Sequence, residues 1–287
     1  MFAIFRREMQ AYFLTPVGYI YTGLFLLLTG LFFTFGNLFS GSSRFTGFLG
    51  GTLSIFLFAV PVLTMRLFAE EKKQKTDQLF LTSPISIAAV VCGKFFAAMT
   101  VYCGTLLVTA LYAVVIAAYG DLQVLETVGS YIGFVFLGAC YISLGIFISA
   151  ATENQIASAL VCFFVLMIIR ILDPLALAVP PDIRTGAIAA TVILVAILVL
   201  IFVNTKNAVI TFGTAVLGCI VVGAFWLFRQ DVYFGFVQNI MGWFSLNRRY
   251  ESFSIGLLRP DSLFYYASFT GFFLFLTVRL IEKRRWS

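Results

Sequence analysis

The segment 66–84 holds the residues whose types and spacing are best suited to chemistry with a partner. It carries three lysines, one arginine, two glutamates and one aspartate between two long apolar runs. A short charged segment in an otherwise apolar membrane protein offers a surface on which a soluble partner can act. A solvated hairpin between two membrane spans is the alternative interpretation of the same segment.

The same segment is predicted to form a short helix from Glu70 to Leu81. It contains good helix formers and neither proline nor glycine, and Pro84 keeps the helix from merging with the apolar run that follows. Leu79 and Leu81 give the helix an apolar end that fits a groove in a partner.

Catalytic and metal-binding chemistry is disfavoured by the residue types. The chain has no histidine, which removes the usual general base and the commonest metal ligand. Its five cysteines lie in or beside apolar runs without CxxC spacing, which favours small buried side chains over disulfides or metal ligands. No GxxxxGK[ST] nucleotide-binding loop occurs. We therefore expect no catalytic residue, no bound metal or cofactor and no nucleic-acid partner, and any ATP would be bound by another chain.

The composition excludes a water-soluble globular domain. Hydrophobic residues make up 61% of the chain and charged residues 11%, whereas a soluble domain has about 25% charged residues. Runs of about 20 apolar residues, the length at which a helix spans a hydrocarbon core, recur along the sequence. The sequence predicts an all-α polytopic membrane protein, multi-pass in a bacterial inner or plasma membrane.

Eight membrane spans are predicted, preceded by an amphipathic interfacial helix over residues 1–14 that Pro16 separates from the first span. Six spans would form a core and two an additional helical pair. The predicted spans are 17–35, 48–65, 87–119, 128–151, 156–179, 187–203, 208–228 and 264–281. For 187–228, a single re-entrant hairpin is the alternative, and either arrangement places both termini on one side.

The distribution of cations predicts the orientation. Roughly twice as many lysines and arginines fall in the loops on one side as on the other, which places both termini and the segment 66–86 in the cytosol. Residues 229–261 then form an extracytoplasmic segment, expected to contain short interfacial helices. No linker or repeat is visible, so residues 1–287 are expected to form one transmembrane domain.

Two further groups of charged residues are candidates for function. Arg170 and Asp173 lie three residues apart on the fifth span, where they can form an interfacial ion pair or line the outer exit of a translocation path. The candidates for an external gate or an extracytoplasmic partner contact are Arg248, Arg249, Tyr250 and Glu251.

The fourth span carries a series of small residues. They are Gly133, Gly138, Ser143, Gly145 and Ser149. Small residues let helices approach closely, so this span is predicted to pack against its neighbours. A role in lining a path is the alternative.

Two stretches of the sequence resemble the ABC-2 type exporter permeases. The first consists of Arg66, Ala69-Glu70-Glu71, Thr76, Leu79, Leu81-Thr82-Ser83-Pro84-Ile85-Ser86 and Gly93-Lys94-Phe95. The second consists of Tyr250-Glu251-Ser252-Phe253, Gly256, Asp261, Tyr265, Phe273-Leu274-Phe275-Leu276-Thr277 and Arg284-Arg285-Trp286. This second stretch is similar to the gliding-motility branch of the family, which is related to the permease of nitrous oxide reductase maturation. Lys75 departs from the family pattern, which carries glycine at that position.

The resemblance implies a non-catalytic permease subunit without a cofactor of its own. ATP and Mg²⁺ would be bound by a separate ABC ATPase subunit, present in two copies. A second permease copy, or a related permease or auxiliary subunit with an external domain, would complete the path through the lipid bilayer. The segment 66–86 would be the coupling segment. Its ATPase-contacting residues would be Glu70, Glu71, Thr76, Asp77, Leu79, Leu81 and Pro84.

Three functions other than that of an exporter permease are alternatives for this sequence. A membrane anchor or force-transducing component of a motility or secretion complex would use the same segment and stays open. A secondary transporter usually needs ionisable groups near the membrane midplane, and the sequence offers no carboxylate there. A membrane-embedded enzyme is disfavoured because histidine is absent and Asp173 is the single carboxylate within a predicted span.

Overall fold

The structure, a computed structural model, describes residues 1–42, 45–76 and 85–286, without the side chains of residues 45–47, 204, 208, 210, 285 and 286. It is 86% helix, and no strand occurs in the described ranges. The predicted all-α class is therefore confirmed.

The helices follow one another with short connections. They are α1 (Phe2–Leu14), α2 (Pro16–Phe33), α3 (Phe45–Thr52), α4 (Phe56–Thr64), α5 (Ala69–Lys73), α6 (Ile87–Tyr119), α7 (Val124–Ala151), α8 (Gln155–Ala178), α9 (Ile183–Thr205), α10 (Ala208–Phe228), α11 (Phe236–Phe244), α12 (Leu246–Ser254) and α13 (Pro260–Trp286). A π-helical turn (Thr34–Leu38) extends α2, and 3₁₀ turns occupy Leu53–Ile55 and Gln230–Tyr233.

Eight helical segments among the described residues are long and apolar enough to cross a membrane. They coincide with the eight predicted spans, and α6 has the predicted bounds of 87–119. α9 and α10 are separate helices, and the chain reverses between them at Lys206, which has a left-handed φ of 49°. The protein is therefore a multi-pass membrane protein.

Local sequence signals set several helix ends. Pro16 lies in the first turn of α2, where its missing N–H costs no intrahelical bond, and Thr15 before it is extended and ends α1. At the start of α6, the Ser86 side chain accepts a hydrogen bond from the Ala89 N–H. The predicted break between the N-terminal helix and the first span is confirmed.

The chain groups into two compact units. The first comprises Met1–Arg170 and Leu246–Ser287, and the second comprises Ile171–Ser245. The second unit contains α9, α10 and α11. The sequence prediction treated the whole chain as one domain and did not separate these parts.

Helix α7 is the centre of the first unit, where it packs against α4, α6, α12 and α13. Each of three glycines on α7 admits a side chain from a different neighbouring helix. A Cβ added at Gly133, Gly138 or Gly145 would lie 2.4–2.6 Å from the side chains of Phe253 on α12, Tyr102 on α6 and Thr64 on α4, respectively. The prediction that the small residues of this span serve packing is confirmed.

One end of the first unit gathers both terminal helices. Ser149, near the end of α7, is hydrogen-bonded to the backbone at the start of α5, and α5 in turn contacts α1. Glu153, just beyond α7, lies 3.5 Å from Arg284 near the end of α13. We call this region the charged end. Its location in the cytosol is a prediction from the loop charges.

The second unit is closed at one end by a tight turn. The Tyr233 hydroxyl donates a 2.7 Å hydrogen bond to the Val222 carbonyl of α10. A Cβ added at Gly186 on α9 would lie 1.9 Å from the Tyr233 carbonyl oxygen, so only glycine fits there. The turn therefore holds the start of α9 beside the end of α10. The segment 229–261 forms short helices, as predicted.

Replacing Gly138 with alanine tests the packing of α7. The added methyl would meet the buried Tyr102 ring, whose hydroxyl is hydrogen-bonded to the Phe134 carbonyl at 2.7 Å, and the ring cannot move without losing that bond. We expect the free energy of unfolding in mixed micelles to fall by about 1–3 kcal/mol. The control Gly104→Ala on α6 adds a methyl to open space and should not destabilise the protein. Equal effects of the two changes would contradict this packing.

Candidate functional site

Four charged side chains from three helices meet at the charged end. We call Arg7, Glu8, Glu71 and Lys94 the ion cluster. Lys94 Nζ lies 2.9 Å from Glu8 Oε1 and 3.0 Å from Glu71 Oε2. Arg7 Nη2 lies 2.8 Å from Glu8 Oε1 and 2.6 Å from Glu71 Oε1. The ion cluster therefore joins α1, α5 and α6 with two cations and two carboxylates.

Lys94 is the buried centre of the ion cluster. Its side chain is 1% exposed, on the third turn of α6. The ammonium donates hydrogen bonds to Glu8 Oε1 and to the Leu67 carbonyl at 2.6 Å, and it lies 5.0 Å from the centre of the Phe68 ring. A buried charge is tolerated only when it is paired and hydrogen-bonded, so the position of Lys94 depends on these neighbours.

Glu8 is held in its ionised form. Burial by itself raises the pKa of this carboxyl, but the charge of Lys94 and the hydrogen bonds from Arg7 and Lys94 outweigh it, so the pKa of Glu8 is lowered from 4.5. A carboxylate that is both buried and paired contributes to stability at neutral pH. Glu8 therefore helps to hold α1 against α6.

A second set of contacts ties α1 to the turn between α4 and α5. The Tyr12 hydroxyl, which is buried, donates a 2.7 Å hydrogen bond to the Leu63 carbonyl. Arg66 donates to the Thr15 hydroxyl, and its Nε lies 3.4 Å from Glu70 Oε2. The guanidinium also lies 5.9 Å from the centre of the Tyr12 ring. These contacts hold the end of α4 and the turn that follows it against α1.

Helix α7 fastens the first turn of α5 from another direction. Ser149 Oγ accepts hydrogen bonds from the backbone N–H groups of Phe68 and Ala69 at 3.1 and 3.2 Å and donates one to the Met65 carbonyl at 3.1 Å. Lys72 Nζ donates to the Ala150 carbonyl at the end of α7. Ser149 comes from a distant part of the chain, yet it satisfies N–H groups that would otherwise be unpaired at a helix start.

The prediction of one continuous helix from Glu70 to Leu81 is wrong, because the helix is interrupted before Thr76, and residues 77–81 lie outside the described residues. α5 ends at Lys73, and Lys75 has a left-handed φ of 56°. The N–H groups of Lys75 and Thr76 donate to the carbonyls of Lys72 and Glu71 at 3.0 and 2.9 Å, which is the Schellman arrangement of a helix end. Glycine adopts this conformation without strain, which explains why the permeases that this segment resembles carry glycine where this chain has Lys75.

The residues predicted to contact an ATPase differ in accessibility. Glu70 is 33% exposed beside Arg66, whereas Glu71 is 17% exposed and belongs to the ion cluster. Thr76 is exposed. The other predicted contacts lie outside the described residues and stay predictions: Asp77, Leu79, Leu81 and Pro84. The internal pairing of Glu71 was not foreseen, and its contact with an ATPase is untested.

Arg170 and Asp173 both lie on α8 and are half-buried. Helix α8 continues through Pro174 to Ala178. The predicted pairing of these two side chains, and their role at the exit of a path, stay predictions.

The four residues predicted as an external gate lie on α12 and differ in exposure. Arg248 and Glu251 are exposed. Arg249 lies 3.8 Å above the Tyr265 ring, and Tyr250 is buried with its ring 6.0 Å from that of Phe134. Tyr250 therefore packs α12 against α7, and a partner contact would rest on the exposed members.

The ion cluster was missed by sequence reasoning, although two signals for it exist. Glu8 lies on the polar face of an otherwise basic α1, and Lys94 is the only charged residue in the 33 residues of α6. A lone cation in a span and a lone carboxylate in a neighbouring amphipathic helix are candidates for pairing. Among the described residues, no group of three or more His, Cys, Asp or Glu side chains could hold a metal ion.

Comparison with known proteins gives one family match, which covers just under half of the chain. Residues 48–189 match the family model described as ABC-2 family transporter protein. The matched stretch contains α4 to α8 and includes Glu71 and Lys94, but not Arg7 or Glu8. No curated protein matches the chain significantly. The eight apolar helices and the family match together support a multi-pass permease component of an ABC transporter.

Replacing Lys94 with methionine should leave the carboxylates of Glu8 and Glu71 with Arg7 as their one remaining cation in the ion cluster. Removing one partner of a buried ion pair typically costs about 3–5 kcal/mol, and we expect this loss in the free energy of unfolding in mixed micelles. Adding Glu8→Gln to this variant should recover part of the lost free energy of unfolding, because it removes one of the two carboxylates. The control Arg279→Gln breaks an exposed pair with Glu282 and should cost less than about 1 kcal/mol. Equal losses at Lys94 and Arg279 would contradict a buried ion cluster.

Acid should weaken the attachment of α1. Because the pKa of Glu8 is lowered in the folded protein, its contribution is complete above about pH 4.5 and is lost as the pH falls through the lower folded value. We expect Glu8→Gln to be less stable than the wild type at pH 7 and to lose less stability between pH 5 and pH 3. If the free energy of unfolding changed with pH in parallel for the two proteins, Glu8 would not be held in its ionised form.

Proposed function

We propose that this chain is the permease subunit of an ATP-driven exporter and that an ATPase subunit acts on the segment 66–86. The observation that carries the proposal is the ion cluster, which links α5 to α1 and α6 through the buried Lys94. The family match covers α4, α5 and α6, the helices that would carry the motion.

The contacts of α5 suit it to transmit a displacement. Its first turn is hydrogen-bonded to Ser149 and its Glu71 is paired with Lys94, so α7 and α6 hold it from two directions. A force applied at the exposed side of α5 would move these helices rather than bend a loose turn. The proposed coupling also requires a second arrangement of α5 that the ATPase favours when it binds ATP.

The proposal includes partners that this chain does not contain. Two ATPase subunits would bind ATP and Mg²⁺, and a second permease copy or a related chain with an external auxiliary domain would complete the path. We also propose a bacterial inner-membrane location, with the charged end in the cytosol, and kinship with the gliding-motility branch. Export of a cargo and the delivery of mechanical force would use the same contacts at α5.

Reversing the charge of Glu70 tests the contact with the ATPase. Glu70→Lys places a cation on the exposed side of α5, and like charges across an interface can cost several kcal/mol. We expect the recovery of a P-loop ATPase in a mild-detergent pull-down from the native membrane to fall by about tenfold or more. The matched control is Glu251→Lys on α12, which should leave the recovery unchanged. Unchanged recovery with Glu70→Lys would remove the coupling role.

Ser149→Ala separates binding from coupling in the same experiment. Ser149 is fully buried behind α5, so this change should not alter ATPase recovery. It should reduce any ATP-dependent change in the maleimide labelling rate of Cys103, which lies half-buried on α6. Wild-type coupling in this variant would show that the link from α5 to α7 does not transmit the motion.

A further inference from the structure

The second unit contains a groove with one charged residue at its end. The groove lies between α9 and α10 and has a volume of about 560 Å³. Its walls are mainly apolar and include Leu194 and Gly223. At one end of the groove lie Arg184 and Trp226. Apolar walls with a single polar group at the mouth fit an amphiphilic molecule.

The two helices that form the groove present apolar side chains almost all round. In the most apolar stretch of each helix, 6% of the residues of α9 and none of those of α10 are buried inside the chain. Both helices are long and apolar enough to cross a membrane. A groove on such a surface is filled by an apolar chain from the bilayer rather than by water.

Arg184 is the polar feature that selects the occupant. It is exposed, and no ion pair engages it in the part of the chain that the structure describes. The close approach of Tyr233 to Gly186 fixes the first turn of α9, which carries Arg184. Trp226 belongs to the residue type that prefers the headgroup level of a membrane. A fixed cation at this level is complementary to a phosphate.

A second groove between the same helices provides an internal comparison. It has a volume of about 360 Å³ and is lined by apolar residues and Tyr233, among them Ile193, Ile197 and Phe225, with no cation. Such a groove accommodates an acyl chain without regard to the headgroup. Selectivity for charge would therefore belong to the groove that contains Arg184.

We propose that the groove at Arg184 binds one anionic glycerophospholipid. The phosphate pairs with the Arg184 guanidinium, and an acyl chain lies between α9 and α10 past Gly223. The bound lipid stabilises the second unit by filling space that the chain leaves open. This site is separate from the ion cluster and does not depend on an ATPase.

Native mass spectrometry of the full chain tests the headgroup contact. The protein is equilibrated in micelles that contain equal amounts of phosphatidylglycerol and phosphatidylcholine. One basic residue near an anionic headgroup contributes about 1 kcal/mol, so we expect about fivefold more bound phosphatidylglycerol in the wild type. Arg184→Gln should abolish this preference. The control Arg229→Gln removes a cation at the same end of the hairpin but outside the groove and should retain it.

A second pair of variants tests the acyl position. Gly223 and Gly213 both lie on α10, and a Cβ added at either would meet open space, which makes them a matched pair. Gly223→Leu fills the groove and should reduce bound phosphatidylglycerol, whereas Gly213→Leu lies outside it and should not. Phosphatidylglycerol should also slow the maleimide labelling of Cys219, an exposed residue of the groove wall, in the wild type but not in Arg184→Gln.

Three results would overturn the proposal. They are the absence of a phosphatidylglycerol preference in the wild type, equal losses for Arg184→Gln and Arg229→Gln, and equal binding by the two leucine variants. Circular dichroism and gel filtration of each variant would verify that a loss of lipid does not reflect a loss of fold.

Discussion

The need to neutralise one buried ammonium governs the arrangement of the charged end. Lys94 projects from the third turn of an otherwise uncharged 33-residue helix, and its side chain is 1% exposed. Such a charge requires carboxylates within contact distance, and Glu8 and Glu71 come from two different helices. Arg7 then balances the second negative charge. As a result α1 and α5 are held against α6 and against each other, although little apolar surface of α5 is available to hold it.

Features that depend on neighbouring residues in the sequence could be predicted, whereas features that depend on distant contacts could not. The spans follow from runs of apolar residues, a local property, and their ends were located within four residues, except that the second span extends to Lys73 instead of residue 65. The ion cluster was not predicted because Glu8 and Lys94 are 86 residues apart. Their pairing depends on which helices are neighbours. The end of α5 was also missed, since Lys75 adopts a conformation that its residue type rarely takes.

Helix α7 both packs the core of the first unit and holds α5. Its glycines receive the side chains of Phe253, Tyr102 and Thr64, so these positions are filled by neighbouring helices and do not line a path. One turn beyond Gly145, Ser149 supplies hydrogen bonds to α5. The helix that organises the core of the first unit therefore also holds the segment whose sequence most resembles a coupling element. α5 is linked to this central helix through Ser149 and through Lys72, which donates to the Ala150 carbonyl.

The separation of Glu8 from Lys94 along the chain has a consequence for biogenesis. Translation proceeds at about 5–20 residues per second, so the carboxylate of Glu8 is synthesised about 4–17 seconds before its partner ammonium exists. During that interval Glu8 has no cation from α6 with which to pair. Glu8 can therefore form its contact with α6 only after the start of the third span has been synthesised.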